Sequence, residues 1–249
     1  MTTHSEELFR EDSTLRECAA IVLRIDERGL LLDRTVFYPL GGGQAGDVGE
    51  LLLVDGRVVN IADTRKGKGE GAEGEILHLP APGQEALLAG LQPGIGLVAR
   101  LNWPRRHALM RFHSATHLLC ALVPHPVDGC SITETYARLD FHMTEALSKE
   151  ELTAGLARLV AEAHPVSHSW ISEAELDANP GLVRSMSVQP PRGMGRVRVL
   201  KIDGVDLQPC GGTHVANTAE IGAVVVTKIE KKSASTRRVV LGFAESAAG

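Results

Sequence analysis

Residues 41–56 read GGGQAGDVGELLLVDG. Gly41, Gly43 and Gly46 fit G-x-G-x-x-G, the spacing of a dinucleotide-binding loop. Such a loop works between a strand and a helix, because the helix N-terminus supplies the amides that hold a pyrophosphate. Here the glycines run into Leu51–Val54 and then Asp55-Gly56, a short apolar strand and a hairpin turn. No stretch of helical period follows, and no Lys-Ser or Lys-Thr closes a P-loop. The sequence therefore predicts no nucleotide cofactor and a β-rich fold around this stretch. The glycines either shape a sharp turn or present bare backbone to a ligand whose chemistry is held elsewhere.

The flanking sequence extends the β reading. Ala19–Ile25 and Leu30–Val36 are apolar runs joined by Asp-Glu-Arg-Gly, and Val58–Ile61, Glu75–Leu79 and Gly96–Trp103 continue the series. Arg65–Gly74 is a charged, glycine-rich turn, and Gln84–Leu91 predicts a short helix. Short strands at turn-punctuated spacing predict a small N-terminal β-barrel. From Arg105 to Val123 the period changes: Leu109, Phe112, Thr116 and Leu119 recur at helical spacing, between Pro104 and Pro124. This sets the expected domains at 1–103 and 104–249. The second predicts an α+β region: a strand at Tyr136–Met143, a helix from a Ser148/Glu151 capping box to about His164, a strand at Val197–Ile202, and a hairpin of Ile221–Glu230 with Arg237–Phe243.

The chain has 249 residues, 43% of them hydrophobic, enough for a sizeable core. No run approaches the ~20 apolar residues of a membrane span. The start, MTTHSEELFRED, lacks the basic and apolar regions of a secretory signal. Four scattered cysteines form no disulfide framework, so a cytoplasmic chain is expected. A net charge of −5 argues against a dedicated non-specific nucleic-acid binder. It leaves room for a transient RNA contact through locally gathered cations. Arg105, Arg106, Arg111, Lys228, Lys231, Lys232, Arg237 and Arg238 are the candidates for phosphate contact; the alternative is an ordinary solvated surface.

RFHSATHLL puts His113 and His117 four residues apart on one helix face, where two imidazoles reach one ion. An ordinary polar pair is the alternative. Position 114 is Ser, so the metalloprotease H-E-x-x-H is absent. QPCGGTH adds Cys210 and His214 on a loop that Gly211-Gly212 lets fold round an ion. Together these offer three nitrogens and one sulfur, a tetrahedral zinc set. Cys120 is a rival ligand, though a small buried hydrophobe is the stronger reading of it. His78, His107, His142, His164 and His168 lack paired spacing and are expected to be structural or on the surface. Four protein ligands fit a closed structural ion; a catalytic one needs an open position.

RFHSATHLL with CGGTHVANTAEIG, together with LLDRTVFYPLGGGQAGDVG, NWPRRHALM and ARLDF, resembles the editing domain of alanyl-tRNA synthetase and the free-standing AlaX family of alanyl-tRNA editing proteins. The glycine stretch resembles the longer members, which carry an N-terminal translation-protein-like barrel. The resemblance implies one zinc per chain, held at the reaction centre by His113, His117, Cys210 and His214. It implies mischarged tRNA(Ala) as partner, and hydrolysis of the ester of Ser-tRNA(Ala) and, second, Gly-tRNA(Ala). Gly42, Gly43, Gln44, Thr35, Arg138 and Asp140 are the expected substrate-side residues; for Arg138 and Asp140 the alternative is a surface ion pair. Asp128, where a Thr is expected, and Leu40, where many relatives carry an acid, leave the amino-acid preference open. The other readings are a zinc hydrolase of a small ester or amide, and a zinc-stabilised RNA-binding module without turnover.

Overall fold

A computed structural model describes residues 4–69, 71, 72, 74–184, 193 and 195–244. Its elements run β1 (Glu6–Glu7), β2 (Glu17–Asp26), β3 (Gly29–Leu32), β4 (Arg34–Thr35), β5 (Gly49–Leu53), β6 (Val58–Lys66), β7 (Ile76–Pro80), α1 (Glu85–Leu88), β8 (Gly96–Leu101) and α2 (Trp103–Leu122). There follow β9 (Val127–Ile132), β10 (Ala137–His142), α3 (Lys149–Ala161), β11 (Val166–Ser172), α4 (Glu173–Ala178), β12 (Arg196–Ile202), β13 (Asp206–Pro209), β14 (Val224–Ser233) and β15 (Thr236–Phe243). No described helix is long and apolar enough to cross a membrane.

Contacts divide the chain into two compact units. One holds the residues up to Gly41 with Ala45–His107; the other holds Gly42–Gln44 with the residues from Ala108 onward. One boundary thus falls inside α2, and three residues of the glycine stretch group with the later unit.

The first unit contains a closed barrel in the order β2-β3-β7-β6-β5-β8, each strand antiparallel to its neighbours. Alternation fills it: Val22, Leu30, Leu32, Leu51, Val59, Ile61, Leu97 and Ala99 point into one core with Phe37. Each Val, Leu, Ile or Phe side chain among them stabilises the fold by roughly 1.5–3 kcal/mol relative to exposure. The Asp55-Gly56 turn joins β5 and β6 as an antiparallel hairpin, with Gly56 at φ 88°. Leu30–Val36 is not one strand: it breaks at Asp33, whose carboxylate accepts the Ile21 amide, and β4 pairs in parallel with β1. Of the charged turn before β7, Glu70 and Glu73 lie outside the described residues.

The glycine stretch is no helix-opening cradle. Gly46 and Gly49 lie so close to the carbonyls of Thr64 and Arg100 that a Cβ would collide with backbone. Positive φ occurs at Gly42 and Gly43 (59° and 86°), not at Gly41 or Gly46. Beyond them Asp47 is fully buried against Arg106. Arg106 Nε donates to both carboxylate oxygens (3.1 and 3.0 Å), Nη1 to the Ser13 carbonyl and Nη2 to that of Val36. The Tyr38 amide donates to the same carboxylate at 2.6 Å. Every charge there is paired and hydrogen-bonded, as a dry ion pair requires.

The second unit contains an antiparallel sheet β14-β15-β10-β9, on which α3 packs through β14, and a three-stranded sheet β11-β12-β13. Ser148 caps α3 by accepting the Glu151 amide. β9, β11, β13 and α4 escape the periodicity reading. β9 (VDGCSI) carries a glycine and no clean alternation, and β11 has no buried residue, half-buried positions alternating with exposed serines at its start.

His78, in the barrel, is fully buried, with Nε2 at 2.8 Å from Thr35 Oγ1 and Nδ1 at 3.1 Å from the Leu30 carbonyl. Burial pulls its pKa down to about 4. Its folded value lies below the unfolded one, so the unfolded chain binds the extra proton. Its contribution is whole above about pH 6.5 and falls by about 3 kcal/mol as the pH drops to about 4. Urea unfolding at pH 7 and pH 4.5 should therefore show a smaller acid-induced loss of stability in His78→Gln than in the wild type; equal losses would exclude His78 as an acid-sensitive element.

Candidate metal centre

Helix α2 starts at a defined point: Asn102 Oδ1 accepts the Arg105 amide, and Pro104 occupies the first turn, where no amide partner is needed. Residues 112–120 are buried all round the helix, so it has no solvent face. Its polar residues must then be satisfied internally. Thr116 Oγ1 donates back to the His113 carbonyl at 2.7 Å. His113 and His117 are 7% and 6% exposed, with ring centroids 5.5 Å apart.

The second pair arrives on the loop after β13. Arg198, buried on β12, donates from Nη1 to the carbonyls of Cys210 (2.9 Å) and Gly212 (3.2 Å), and the Cys210 amide returns a bond to the Arg198 carbonyl. After His214 the chain is pinned by Asn217, which caps a short turn in a box with Glu220, and by Gly222 at φ 67°. His113, His117, Cys210 and His214 each present one donor atom, all within 4.8 Å of one another, a group that can hold a metal ion. Cys210 Sγ lies 3.5 Å from His113 Nε2 and 3.2 Å from His214 Nε2.

Each imidazole is oriented through its other nitrogen. His113 Nδ1 donates to Gln44 Oε1 (2.7 Å), His117 Nδ1 to Asp206 Oδ2 (2.8 Å), and His214 Nδ1 lies 3.3 Å from Ser114 Oγ. Metal-binding histidines are held in this way. Ser114, where a metalloprotease has Glu, thus serves a neighbouring ligand. Gln44 is fully buried; its Oε1 also accepts the Thr213 amide and its Nε2 donates to Thr213 Oγ1 at 2.9 Å. It enters on backbone stitched to β9, with the Ile132 amide donating to the Gly43 carbonyl at 2.7 Å. Expected to face substrate, Gln44 instead has both amide atoms engaged beside His113.

The electrostatics favour a cation. Burial opposes the Cys210 thiolate, yet the charges of His113 and His214 outweigh it and hold the thiol well below its usual range. Burial lowers His117 too, but the hydrogen bonds and charges of Asp206 and Cys210 win and raise it to about 10. Burial and the nearby His113 keep His214 well below the ordinary histidine value. A thiolate and a carboxylate in a dry pocket draw positive charge.

Other expected residues lie elsewhere or in other roles. Cys120 is outside the donor group, and burial pushes its thiol up to about 12. Thr35 belongs to the barrel unit, fully buried, its hydroxyl engaged by His78 and by the Phe37 amide. Arg138 and Asp140 sit two apart on β10, linked at 2.6 Å, and Arg238 forks onto Asp140 at 2.7 and 2.8 Å. Burial raises the Asp140 carboxyl, but the two arginines prevail and lower it. Asp128 pairs with His142 at 3.2 Å, and Leu40 is largely exposed. Two phosphate candidates are corrected: Arg106 is buried on Asp47, and buried Arg237 caps the carbonyls of Thr144, Glu145 and Ser233. Lys228, Lys231 and Lys232 are exposed. Asp206, Thr213 and Arg198 were not singled out in the sequence. Only the alternation Asp206-x-Gln208 ahead of the CGGTH loop signals a polar strand face turned inward.

A family model described as "Threonyl and Alanyl tRNA synthetase second additional domain" matches residues 197–240, the span bearing Cys210 and His214. The chain is 32% identical to the alanyl-tRNA editing protein AlaX-M of Methanosarcina acetivorans, covering 94% of this chain and 97% of that protein. The chain belongs to the alanyl-tRNA editing protein AlaX-M family. The AlaX-M protein of Saccharolobus solfataricus is 30% identical with the same coverage. The alanine–tRNA ligase of Metallosphaera sedula is 33% identical over 91% of this chain, which spans 25% of that longer protein.

Gly212 tests the assembly. A Cβ there would fall on the His113 ring and 2.9 Å from Gln44 Oε1. Gly212→Ala should weaken metal binding at least about tenfold, the scale of a disturbed outer partner, while circular dichroism stays native. Unchanged affinity by metal titration would show that the ring tolerates displacement.

Proposed function

We propose that this chain is a trans-editing hydrolase that deacylates mischarged tRNA(Ala), chiefly Ser-tRNA(Ala) and secondarily Gly-tRNA(Ala), at a zinc centre. The observation that carries the reading is the His113–His117–Cys210–His214 group, its histidines buried and its cysteine half-buried, in a chain that matches proteins named alanyl-tRNA editing proteins over 97% of their length. The need is physical. A pocket shaped for alanine cannot exclude smaller glycine and rejects serine weakly, since a group of this size is worth only about 1–3 kcal/mol, so a second hydrolytic site must discriminate.

The donor set supports zinc. Tetrahedral zinc with Zn–N of about 2.0–2.1 Å and Zn–S of about 2.3 Å sets nitrogen and sulfur ligands about 3.5 Å apart. The Cys210 contacts at 3.5 and 3.2 Å are close to that separation, and all four donor atoms lie within 4.8 Å of one another. His113, His117, Cys210 and His214 would hold the ion, which when bound supplies Lewis acidity and fixed positive charge beside the ester. Gln44, Asp206 and Ser114 orient the ligands. Gly42, without Cβ and with positive φ, lets a ribose or aminoacyl group come close to backbone, while Gly43 packs on Cys130 and holds the turn in place. Asp140 holds Arg138 and Arg238 as donors for the RNA end, and Lys228, Lys231 and Lys232 meet phosphates.

A full set of four protein donors also fits a purely structural ion, in a module that binds RNA without turnover. Deacylation decides. With tRNA(Ala) charged with Ser, Gly or Ala, the protein should release Ser fastest, spare Ala, and lose activity after chelation with recovery on adding zinc. Binding of tRNA(Ala) with no release of any amino acid would favour the module.

A further inference from the structure

The three imidazoles do not have equivalent outer partners. His113 faces an amide oxygen, Gln44 Oε1, and His214 a hydroxyl, Ser114 Oγ. His117 faces a carboxylate, Asp206, whose side chain is fully buried. Among the described residues Asp206 is the only carboxylate bonded to one of the four donors. It is itself tightly held: Gln208 Nε2 donates to both of its oxygens at 3.0 and 2.9 Å, and Arg184 Nη2 stands 3.8 Å away. Gln208 is buried too.

We propose that Asp206 is the positioning residue of the metal centre: its carboxylate fixes His117 with Nε2 left for the ion and places a second negative charge beside the Cys210 thiolate. This rests on the metal-centre reading above. With an ion bound, three neutral imidazoles and one thiolate carry one negative charge; Asp206 adds a second, which Arg184 at 3.8 Å offsets in part. In a low-dielectric site such a charge counts for more than in water, so the carboxylate strengthens the hold on a divalent cation. Asp206 cannot act as a catalytic base, because its side chain is sealed from solvent and both oxygens are engaged. Its effect passes through His117. Arg184 and Gln208 hold the carboxylate on β13 so that it does not turn away from the ring, which gives this short strand a purpose beyond the sheet.

The test uses cobalt(II) as the probe, titrated into metal-free full-length wild type, Asp206→Asn and Asp206→Ala, with zinc competition giving Kd. Asn keeps the shape and an acceptor for His117 Nδ1 but removes the charge. It should bind about tenfold more weakly, with the wild-type cobalt d–d and thiolate charge-transfer bands. Ala loses orientation as well as charge and should bind about 100-fold more weakly, with altered bands. A residue that merely supported the fold would lower the unfolding midpoint and leave Kd and spectrum alone. Should the Ala variant fail to fold, the Asn variant decides alone. Unchanged Kd in folded Asp206→Asn overturns the proposal while the metal-centre reading stands. If the wild type binds neither cobalt nor zinc, the metal-centre reading fails and this proposal falls with it.

Discussion

Four donor atoms confined within 4.8 Å, three of them on buried histidines, are the constraint on which the second unit depends. Three imidazoles and a thiolate hold no such arrangement by hydrophobic packing. Each must lose water, and each buried polar atom needs a partner. The chain meets this demand by giving every imidazole Nδ1 its own acceptor. That requirement accounts for residues as different as Gln44, Ser114 and Asp206, drawn from a glycine-rich loop, a helix and a strand.

Glycine then appears wherever two groups must come closer than a methyl allows. At Gly212 the neighbour is an imidazole, at Gly43 the Cys130 side chain and carbonyl, at Gly46 the Thr64 carbonyl. The stretch at 41–49 is thus neither a phosphate cradle nor a featureless turn. Its first part delivers Gln44 to His113, and its second is tied down by the dry Asp47–Arg106 pair. A conserved-looking fingerprint spacing arises here from packing, which is why context and not spacing decides such motifs.

The barrel was legible because its short apolar runs are set off by turns that carry Asp-Gly and Asp-Glu-Arg-Gly. The helix of His113 was legible between its prolines, and the four donors were legible from two pairs of i,i+4 spacing. What lay hidden has a common cause. Gln44 and Asp206 act across 69 and 89 residues of sequence, and no local period records such a contact. Strand β9 has a glycine where alternation should be, and Arg106 and Arg237 look like surface cations until burial shows carbonyls and a carboxylate around them. Cation count reports composition, not exposure.

The central claim is that helix α2 and the CGGTH loop build one metal centre. X-ray absorption at the zinc edge of the protein loaded with one equivalent of zinc tests it most directly. The account predicts one sulfur at about 2.3 Å and three nitrogens at about 2.0–2.1 Å with imidazole outer-shell scattering. An oxygen-dominated shell, or two sulfurs, would contradict it.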